Sequence, residues 1–395
     1  MKTSFILSIL LLCLATLVGC EEKKQGDAYL SHDKLVFQSL RDAPIGIDSI
    51  KRYWELYSMD EYGLGIERIT YNLYWEHQPD ISPSGDKIVF AIHYNPSRDT
   101  VETDPGWEIA VMDADGTNLT RLTNNSRLEA SPHWNHDGSK IVYVSDTHGD
   151  LSCLDIYTMD PDGSNVTRLT NASIGEFYAD PSFSFSKPSR ILYVYSKGYS
   201  GRWNIYMMNE DGSGKHLVLS TNSTLLAYHD PMFSPSGDMI VFSAKISEKG
   251  NHGLPVYKVF TANIDGSNVK QVTDNDDESD ILPQFSPSGD KIAYFTWKWN
   301  GKGFERRIRV IGIDGRCERV LSRFSPEEMP SWYPSDSEKI VKDETLLWCG
   351  SKQIMIPPSS KTSVLLDYLF REGELRKRFV ETIYFNEKLW GMSCG

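Results

Sequence analysis

The sequence has little positive charge, no long apolar run and no closely spaced cysteine pair. Its 41 Lys and Arg residues are outnumbered by 54 Asp and Glu residues, so the net charge is −13 at pH 7. This balance argues against a nucleic-acid backbone as the main partner, because such partners select basic surfaces. The six cysteines show no CxxC spacing, which makes a zinc site improbable. With 40% hydrophobic residues, the composition is that of a globular protein.

The amino-terminal region predicts export and lipid attachment. Lys2 precedes an apolar run, 5–18, that is shorter than the roughly 20 residues needed to span a membrane. The run ends in Leu-Val-Gly-Cys at Cys20, which resembles a bacterial-type lipobox. We expect residues 1–19 to be a lipoprotein signal peptide, Cys20 to carry the lipid and 20–32 to be a tether. The protein would then be anchored to a membrane on its extracytoplasmic side, in the periplasm or at the cell surface; an ordinary secretory signal is the alternative.

Internal repeats determine the predicted fold. One half of the unit places a proline two residues before an apolar residue, followed by a short turn and an apolar run, at 78–90, 131–143, 180–193, 230–242, 282–294 and, more weakly, 329–341. The other half is an apolar run, an Asp-Gly turn and a short strand-like segment, at 107–123, 154–170, 203–219, 257–273 and 307–321. Each unit therefore holds four strand-like runs separated by turn residues. Five or more such units predict an all-β propeller of four-stranded blades.

These repeats resemble those of the TolB-type β-propeller family, whose unit carries Ser-Pro-Asp-Gly after an aromatic residue and Asp-Gly after its third strand. The resemblance covers about residues 33–341, which we expect to form the propeller, with 342–395 as a C-terminal extension. The segment 329–335 would supply the first strand of the blade that begins near residue 33, which gives six blades. A strand pair within 352–367 would give seven. By this assignment the chain is a lipoprotein without the α/β domain that precedes the propeller in the family's founding member.

The recurring Asp-Gly segment, as in 159–171, can be interpreted as a calcium loop, a glycosylation site or a turn. An EF-hand loop needs glycine at its sixth position and glutamate at its twelfth, whereas Gly163 is fourth and Thr170-Asn171 stand where the glutamate should be. A tight hairpin that needs a residue with positive φ is the favoured interpretation. We therefore expect no cofactor, with Ca²⁺ in the acidic stretch 274–280 as the alternative.

Two classes of enzyme are built on similar propellers. A serine hydrolase needs GxSxG on an α/β scaffold, and neither that motif nor enough chain follows the repeats. A metal-dependent lyase collects histidines near the channel mouth; His77 and His229 both lie two residues before a repeat proline, but the other copies have no histidine there. We expect no catalytic residues and leave any metal ligands unassigned. A metal-dependent carbohydrate-active enzyme or a glycan-binding propeller is the alternative.

The connections between strands predict a binding face. The turns inside each half of the unit are short and uniform, whereas the other connections, such as 91–106 and 243–256, vary in length. Variable loops on a rigid repeat scaffold are typical recognition elements. We expect a protein or glycan of the cell envelope to bind on that face. The candidate binding residues are Trp75, His77, Tyr94, Asp104, Tyr178, Asp180, His229, Asp230, Trp297 and Trp299.

Overall fold

The computed structural model describes part of the chain, and all of its regular elements there are β-strands. The described residues are 34–39, 54–94, 106–149, 152–198, 202–248, 250, 254–275, 278–299, 304–321, 327–332, 345–349 and 352–356. Within these ranges no helix is long and apolar enough to cross a membrane. Strands β1–β24 belong to one compact unit and β25–β26 to another.

The strands form short antiparallel sheets. Four sheets of four strands have the orders β24-β1-β2-β3, β4-β5-β6-β7, β16-β17-β18-β19 and β20-β21-β22-β23. Strands β8–β11 and β12–β15 each follow the same up-and-down order, and one parallel bridge between β10 and β12 joins them into an eight-stranded sheet. Strands β25 and β26 pair separately. The strand bounds, in chain order, are β1 Lys34–Ser39, β2 Glu55–Asp60, β3 Glu67–Arg68, β4 Trp75–Ile81, β5 Lys87–His93, β6 Trp107–Asp113, β7 Thr120–Arg121, β8 Glu129–Trp134, β9 Ile141–Asp146, β10 Leu154–Met159, β11 Thr167–Arg168, β12 Glu176–Phe183, β13 Arg190–Lys197, β14 Asn204–Asn209, β15 His216–Leu219, β16 Ala227–Phe233, β17 Met239–Ser247, β18 Val256–Asn263, β19 Lys270–Gln271, β20 Ser279–Phe285, β21 Lys291–Trp299, β22 Phe304–Gly312, β23 Arg319–Val320, β24 Glu327–Trp332, β25 Thr345–Cys349 and β26 Lys352–Ile356.

The first strands of successive sheets line the axis of a propeller. Each first strand contacts the first strand of the next sheet, from β4 to β20. Strand β20 contacts β24, and β24 contacts β4, so the series closes on itself. Strand β24 also pairs with β1, with Leu35 opposite Trp332 and Ser39 opposite Glu327. The pairing expected between the start of the repeats and the segment near 329–335 is therefore present.

Apolar side chains fill the space between neighbouring sheets. Phe233 of β16 packs against Leu192 and Ile205 of the preceding sheet, and Phe285 of β20 packs against Val241 and Val259 in the same way. Ile81, Trp134 and Phe183 take the equivalent positions in β4, β8 and β12. The apolar residue two positions after each repeat proline thus packs between neighbouring sheets. Trp332 shares this sequence position, and its side chain lies outside the described residues.

Each of five first strands contains a bulge at the residue that precedes its proline. These residues have positive φ: Gln78 54°, Ser131 50°, Asp180 48°, Asp230 52° and Leu282 56°. The pairing with the second strand shifts register at each of these positions. A left-handed backbone at a residue with a side chain costs about 1–3 kcal/mol, so neighbouring contacts must stabilise each bulge.

The Asp-Gly segment at 160–164 is a hairpin turn between β10 and β11. The amide of Asp160 donates to the carbonyl of Ser164 at 2.9 Å, and Gly163 donates back to Asp160 at 2.9 Å. Gly163 has φ +83°, and a Cβ there would lie 2.9 Å from the carbonyl oxygen of Leu122 in the preceding sheet. The turn therefore needs glycine for both its φ and its close contact with the preceding sheet.

A pair of glycine substitutions separates these two requirements. Gly175 also has positive φ, +82°, but a Cβ there would meet no atom within 4 Å. We expect Gly175→Ala to lower the free energy of unfolding by about 1–2 kcal/mol, the cost of a left-handed residue with a Cβ. Gly163→Ala should cost roughly 1–3 kcal/mol more, because it also overpacks against Leu122. Urea unfolding of both variants measures the difference, and equal losses would show that the contact between sheets is not tight.

Candidate functional site

An axial cavity lies among the first strands. Its volume is about 110 Å³, enough for several water molecules or a slender side chain. Every lining residue comes from a segment around a repeat proline: Gln78, Pro79, Ser131, His133, Asp180, Asp230, Pro231, Met232, Leu282, Pro283 and Gln284. The bulges at positive φ therefore place polar side chains at the centre of the propeller.

Side chains of one sheet satisfy the bulged amides of the next. Gln78 accepts a hydrogen bond from the amide of Ser131 at 2.7 Å, and its own amide donates to Gln38 at 2.9 Å. Asp180 accepts from the amide of Asp230 at 3.3 Å, and Asp230 accepts from the amide of Leu282 at 3.2 Å. We call this series the inner relay. It provides partners for backbone groups that the bulges remove from the strand ladders.

One part of the cavity wall carries a charge cluster of Asp180, His229 and Asp230. Nδ1 of His229 lies 3.5 Å from Oδ2 of Asp180, and Ser243 donates to Asp230 at 2.7 Å. Burial and the nearby charge of Asp180 raise the pKa of Asp230 to about 6. Burial lowers the pKa of His229, but the hydrogen bond and charge of Asp180 outweigh this effect and raise it overall. The cluster therefore changes charge near neutral pH.

Histidines in β4 and β16 are each held between two aromatic rings. His77 meets Trp54 and Trp107 edge-on, with ring centroids 5.4 and 4.7 Å away. His229 has Trp203 and Tyr257 at 5.7 and 5.8 Å.

The charge states of the two histidines differ. Burial, and then the charge of nearby His93, lower the pKa of His77 to about 3, so His77 is neutral at pH 7. The Nε2 atom of His77 is buried without a hydrogen-bond partner among the described residues. His229, beside two carboxylates, has a raised pKa.

Two predicted site tyrosines pack within or between sheets. Tyr94 lies 4.8 Å from the ring of Tyr74, and the guanidinium of Arg121 lies 4.9 Å above Tyr94. Tyr178 belongs to a tyrosine group with Tyr193 and Tyr195, at 5.9 and 4.8 Å. Both rings brace the fold beside the core clusters rather than lining the axial cavity.

The tryptophan candidates lie at the loop ends of strands. Trp75 begins β4 opposite His93, and Trp297 lies in β21 opposite Ser279 and Arg306. Both are partly buried. The side chain of Trp299, and all of Asp104 and Cys20, lie outside the described residues. The structure thus brings Asp180, His229 and Asp230 together and places the other described candidates apart from them.

Several residues of the site were missed in the sequence. His133 lines the cavity and lies 3.4 Å from Asp80, and Gln78 and Ser131 take part in the inner relay. Their common signal is position, because each lies directly beside a repeat proline. Within the described part of the chain, no three His, Cys, Asp or Glu side chains converge as a metal site would require.

The neutral state of His77 predicts acid sensitivity. Its pKa is lower in the folded chain than in the unfolded chain, so its contribution to stability is present above about pH 6.5 and falls towards pH 3. The loss should approach about 1.4 kcal/mol per pH unit below pH 6. His77→Gln should reduce the fall in unfolding free energy between pH 7 and 5, measured in urea, whereas His216→Gln on the exposed strand β15 should not. An unchanged acid loss in His77→Gln would contradict this assignment.

Comparison with known proteins agrees with this architecture. A family model described as the TolB beta propeller domain matches residues 98–255. The Tol-Pal system protein TolB of Francisella tularensis subsp. mediasiatica is 27% identical over 281 residues, which cover 58% of this chain and 60% of the relative. The chain thus matches about three fifths of the length of the curated relatives. An uncharacterized protein, Atu1656, of Agrobacterium fabrum is 35% identical over 85 residues, 21% of this chain and 29% of that protein.

Solved structures show the same fold. TolB from Acinetobacter baumannii superposes with a TM-score of 0.58 at 19% identity, covering 78% of this chain and 68% of that one. A putative TolB from Agrobacterium tumefaciens gives 0.53 at 15% identity, covering 76% and 97%. Together with the four-stranded sheets, the family match and the curated relatives, these likenesses show that the repeat region of this chain is similar to TolB-type β-propellers in sequence and in fold.

Proposed function

We propose that this chain is an extracytoplasmic, membrane-anchored propeller that binds a protein of the cell envelope without catalysis. The main support for the proposal is the polar axial cavity. The bulges of the first strands form this cavity, and each bulge holds a residue in a strained backbone conformation. Strain of this kind is retained where the surrounding structure and a function maintain it. Curated relatives such as that of Francisella tularensis are named as Tol-Pal system protein TolB, which supports an envelope partner.

The partner would contact both the cavity and the aromatic residues at the loop ends of the strands. Trp75 and Trp297 are partly buried there, and His77 and His229 precede two cavity residues, Gln78 and Asp230. Tryptophan and tyrosine are enriched among the residues that dominate binding energy in protein interfaces. A central polar pocket with an aromatic margin therefore suits a protein partner.

The proposal includes six blades. Two observations support that number. The four separate four-stranded sheets and the two halves of the eight-stranded sheet give six units of four strands. The first strands of these units also contact one another in one series that includes β24 and β20. The alternative of seven requires a further four-stranded sheet that involves 352–367. Class averages of the purified protein viewed down the axis in electron microscopy would decide, and seven-fold averages would refute six.

Trp297→Ala tests the binding face. The variant should weaken capture of the partner from an envelope extract about 30-fold, since truncating an interface tryptophan commonly costs 2 kcal/mol or more. Capture is measured with immobilised protein and the bound proteins are identified by mass spectrometry. Ser236→Ala, in the short turn between β16 and β17 at the opposite end of the strands, is the matched control and should capture normally. Melting curves of both variants verify folding. Loss of capture in the control alone would place the partner on the other face.

The lipid anchor is tested at Cys20. Two acyl chains, at about 0.8 kcal/mol per buried CH₂, hold a protein stably on a bilayer. Cys20→Ser should therefore either release the protein from the membrane fraction or leave it unprocessed with slower gel migration. A variant that fractionates and migrates like the native protein would refute lipidation at this residue.

A further inference from the structure

The inner relay is chemically different on its two sides. Between the sheets of β1, β4 and β8, the acceptors are the neutral amides of Gln38 and Gln78. Between the sheets of β12, β16 and β20, the acceptors are the carboxylates of Asp180 and Asp230. The bulged amides therefore donate to neutral side-chain amides on one side and to ionisable carboxyl groups on the other.

The ionisable side also holds a basic partner. His229 lies 3.5 Å from Asp180 and directly precedes Asp230, so one imidazole neighbours two carboxylates. With His229 protonated and Asp230 neutral, the cluster has no net charge. With both deprotonated, it carries two negative charges in a half-buried wall. Like charges held together in a poorly solvated place destabilise the structure that holds them.

The other ionisable groups around the cluster are few in the described part of the chain. Lys245 of β17 and Tyr257 of β18 act on it from its own sheet, and Lys245 itself pairs with Glu248 at 3.0 Å. Strand β8 contributes His133, which lies 3.4 Å from Asp80. The cavity residues of β20 are Leu282, Pro283 and Gln284, which do not titrate. No strong counter-charge on the neighbouring sheets therefore replaces the His229 proton.

We propose that Asp180, His229 and Asp230 form a pH-dependent latch that holds the sheets of β12, β16 and β20 together while His229 is protonated. The latch loosens when the cluster loses its protons, and this half of the axial wall then opens while the glutamine half stays closed. The latch itself is independent of the proposed function. Only its consequence, that pH regulates access of the partner to the cavity, rests on that function.

The direction follows from linkage between protonation and folding. The pKa of Asp230 and that of His229 are both raised in the folded chain. Each group therefore contributes stability that is complete below its unfolded pKa, about 3.9 for Asp and 6.5 for His, and lost as pH rises through the folded value. The Asp230 contribution is lost by about pH 6 and the His229 contribution above about pH 6.5. The latch is thus tight in mild acid and loose in mild alkali.

Hydrogen exchange of the full chain tests the latch at named amides. Protection of peptides that contain the Asp230 and Leu282 amides is compared at pH 5 and pH 8.5 with peptides that contain Gln78 and Ser131, after correction for intrinsic exchange rates. Protection on the aspartate side should fall about tenfold or more, because pH 5 lies one unit below the Asp230 pKa of about 6. Protection on the glutamine side should not fall, because the neutral His77 beside Gln78 stabilises that side more at the higher pH. Equal changes on both sides would overturn the proposal.

Two substitutions exchange the chemistry of the two sides. Asp230→Asn should reduce the fall in protection at Leu282, to which His229 still contributes, and Gln78→Glu should produce such a fall at Ser131. If Asp230→Asn does not fold, Gln78→Glu still decides, because a carboxylate that produces no fall at Ser131 refutes the mechanism. An undiminished fall at Leu282 in Asp230→Asn refutes it as well.

Capture of the envelope partner at pH 5 and pH 8.5 tests the consequence separately. We expect capture by the native chain to differ between the two pH values, and capture by Asp230→Asn to differ less. If exchange behaves as expected but native capture does not change with pH, the latch stands and its regulatory role is refuted. If nothing is captured at either pH, the proposed function fails and the latch does not.

Discussion

The hydrogen bond that the bulged amide of one sheet donates to a side-chain oxygen of the preceding sheet is the interaction on which the rest of the structure depends. At each bulge the residue before proline takes a left-handed backbone, so its amide leaves the ladder with its own sheet. A buried amide without a partner costs about 1–3 kcal/mol, comparable to the strain itself. Because Gln78 and Asp230 supply the missing acceptors, the same contacts stabilise the bulge, join neighbouring sheets and place polar groups at the axis.

A second set of polar contacts repeats further from the axis, and there too the sheets differ. Arg68, Arg121 and Arg168 pair with Glu55, Glu108 and Asp155 at 2.7, 2.5 and 2.6 Å. In the sheet of β18 a buried lysine takes the place of the acid, and Lys258 pairs with Asp280 of the next sheet at 3.4 Å. Buried pairs gain little net stability, but removing one partner leaves a costly uncompensated charge. These pairs therefore specify which strands belong together more than they stabilise them.

Much of the fold could be predicted from the sequence because its determinants are local and repeated. The proline, the apolar residue two positions later and the Asp-Gly turn each recur with a fixed physical role, as Phe233 and Gly163 illustrate. The axial site could not be predicted in the same way. Its positions carry Gln, Ser, Asp and Leu, so the repeat shows no common chemistry there, and the partner of each residue lies about 50 residues away.

The histidines show most clearly where sequence position stops being informative. His77 and His229 occupy the same place in the repeat and the same kind of aromatic sandwich. Burial and the charge of His93 lower the pKa of the first and keep it neutral, while Asp180 raises the pKa of the second.

The charge of His229 is therefore set across the junction between sheets, whereas that of His77 is set by burial and by His93 of its own sheet. In a structure built from near-identical units, such junctions are where one unit acquires a property that the others lack. A repeat scaffold can thus keep its packing uniform and still concentrate titratable chemistry on one side of its axis.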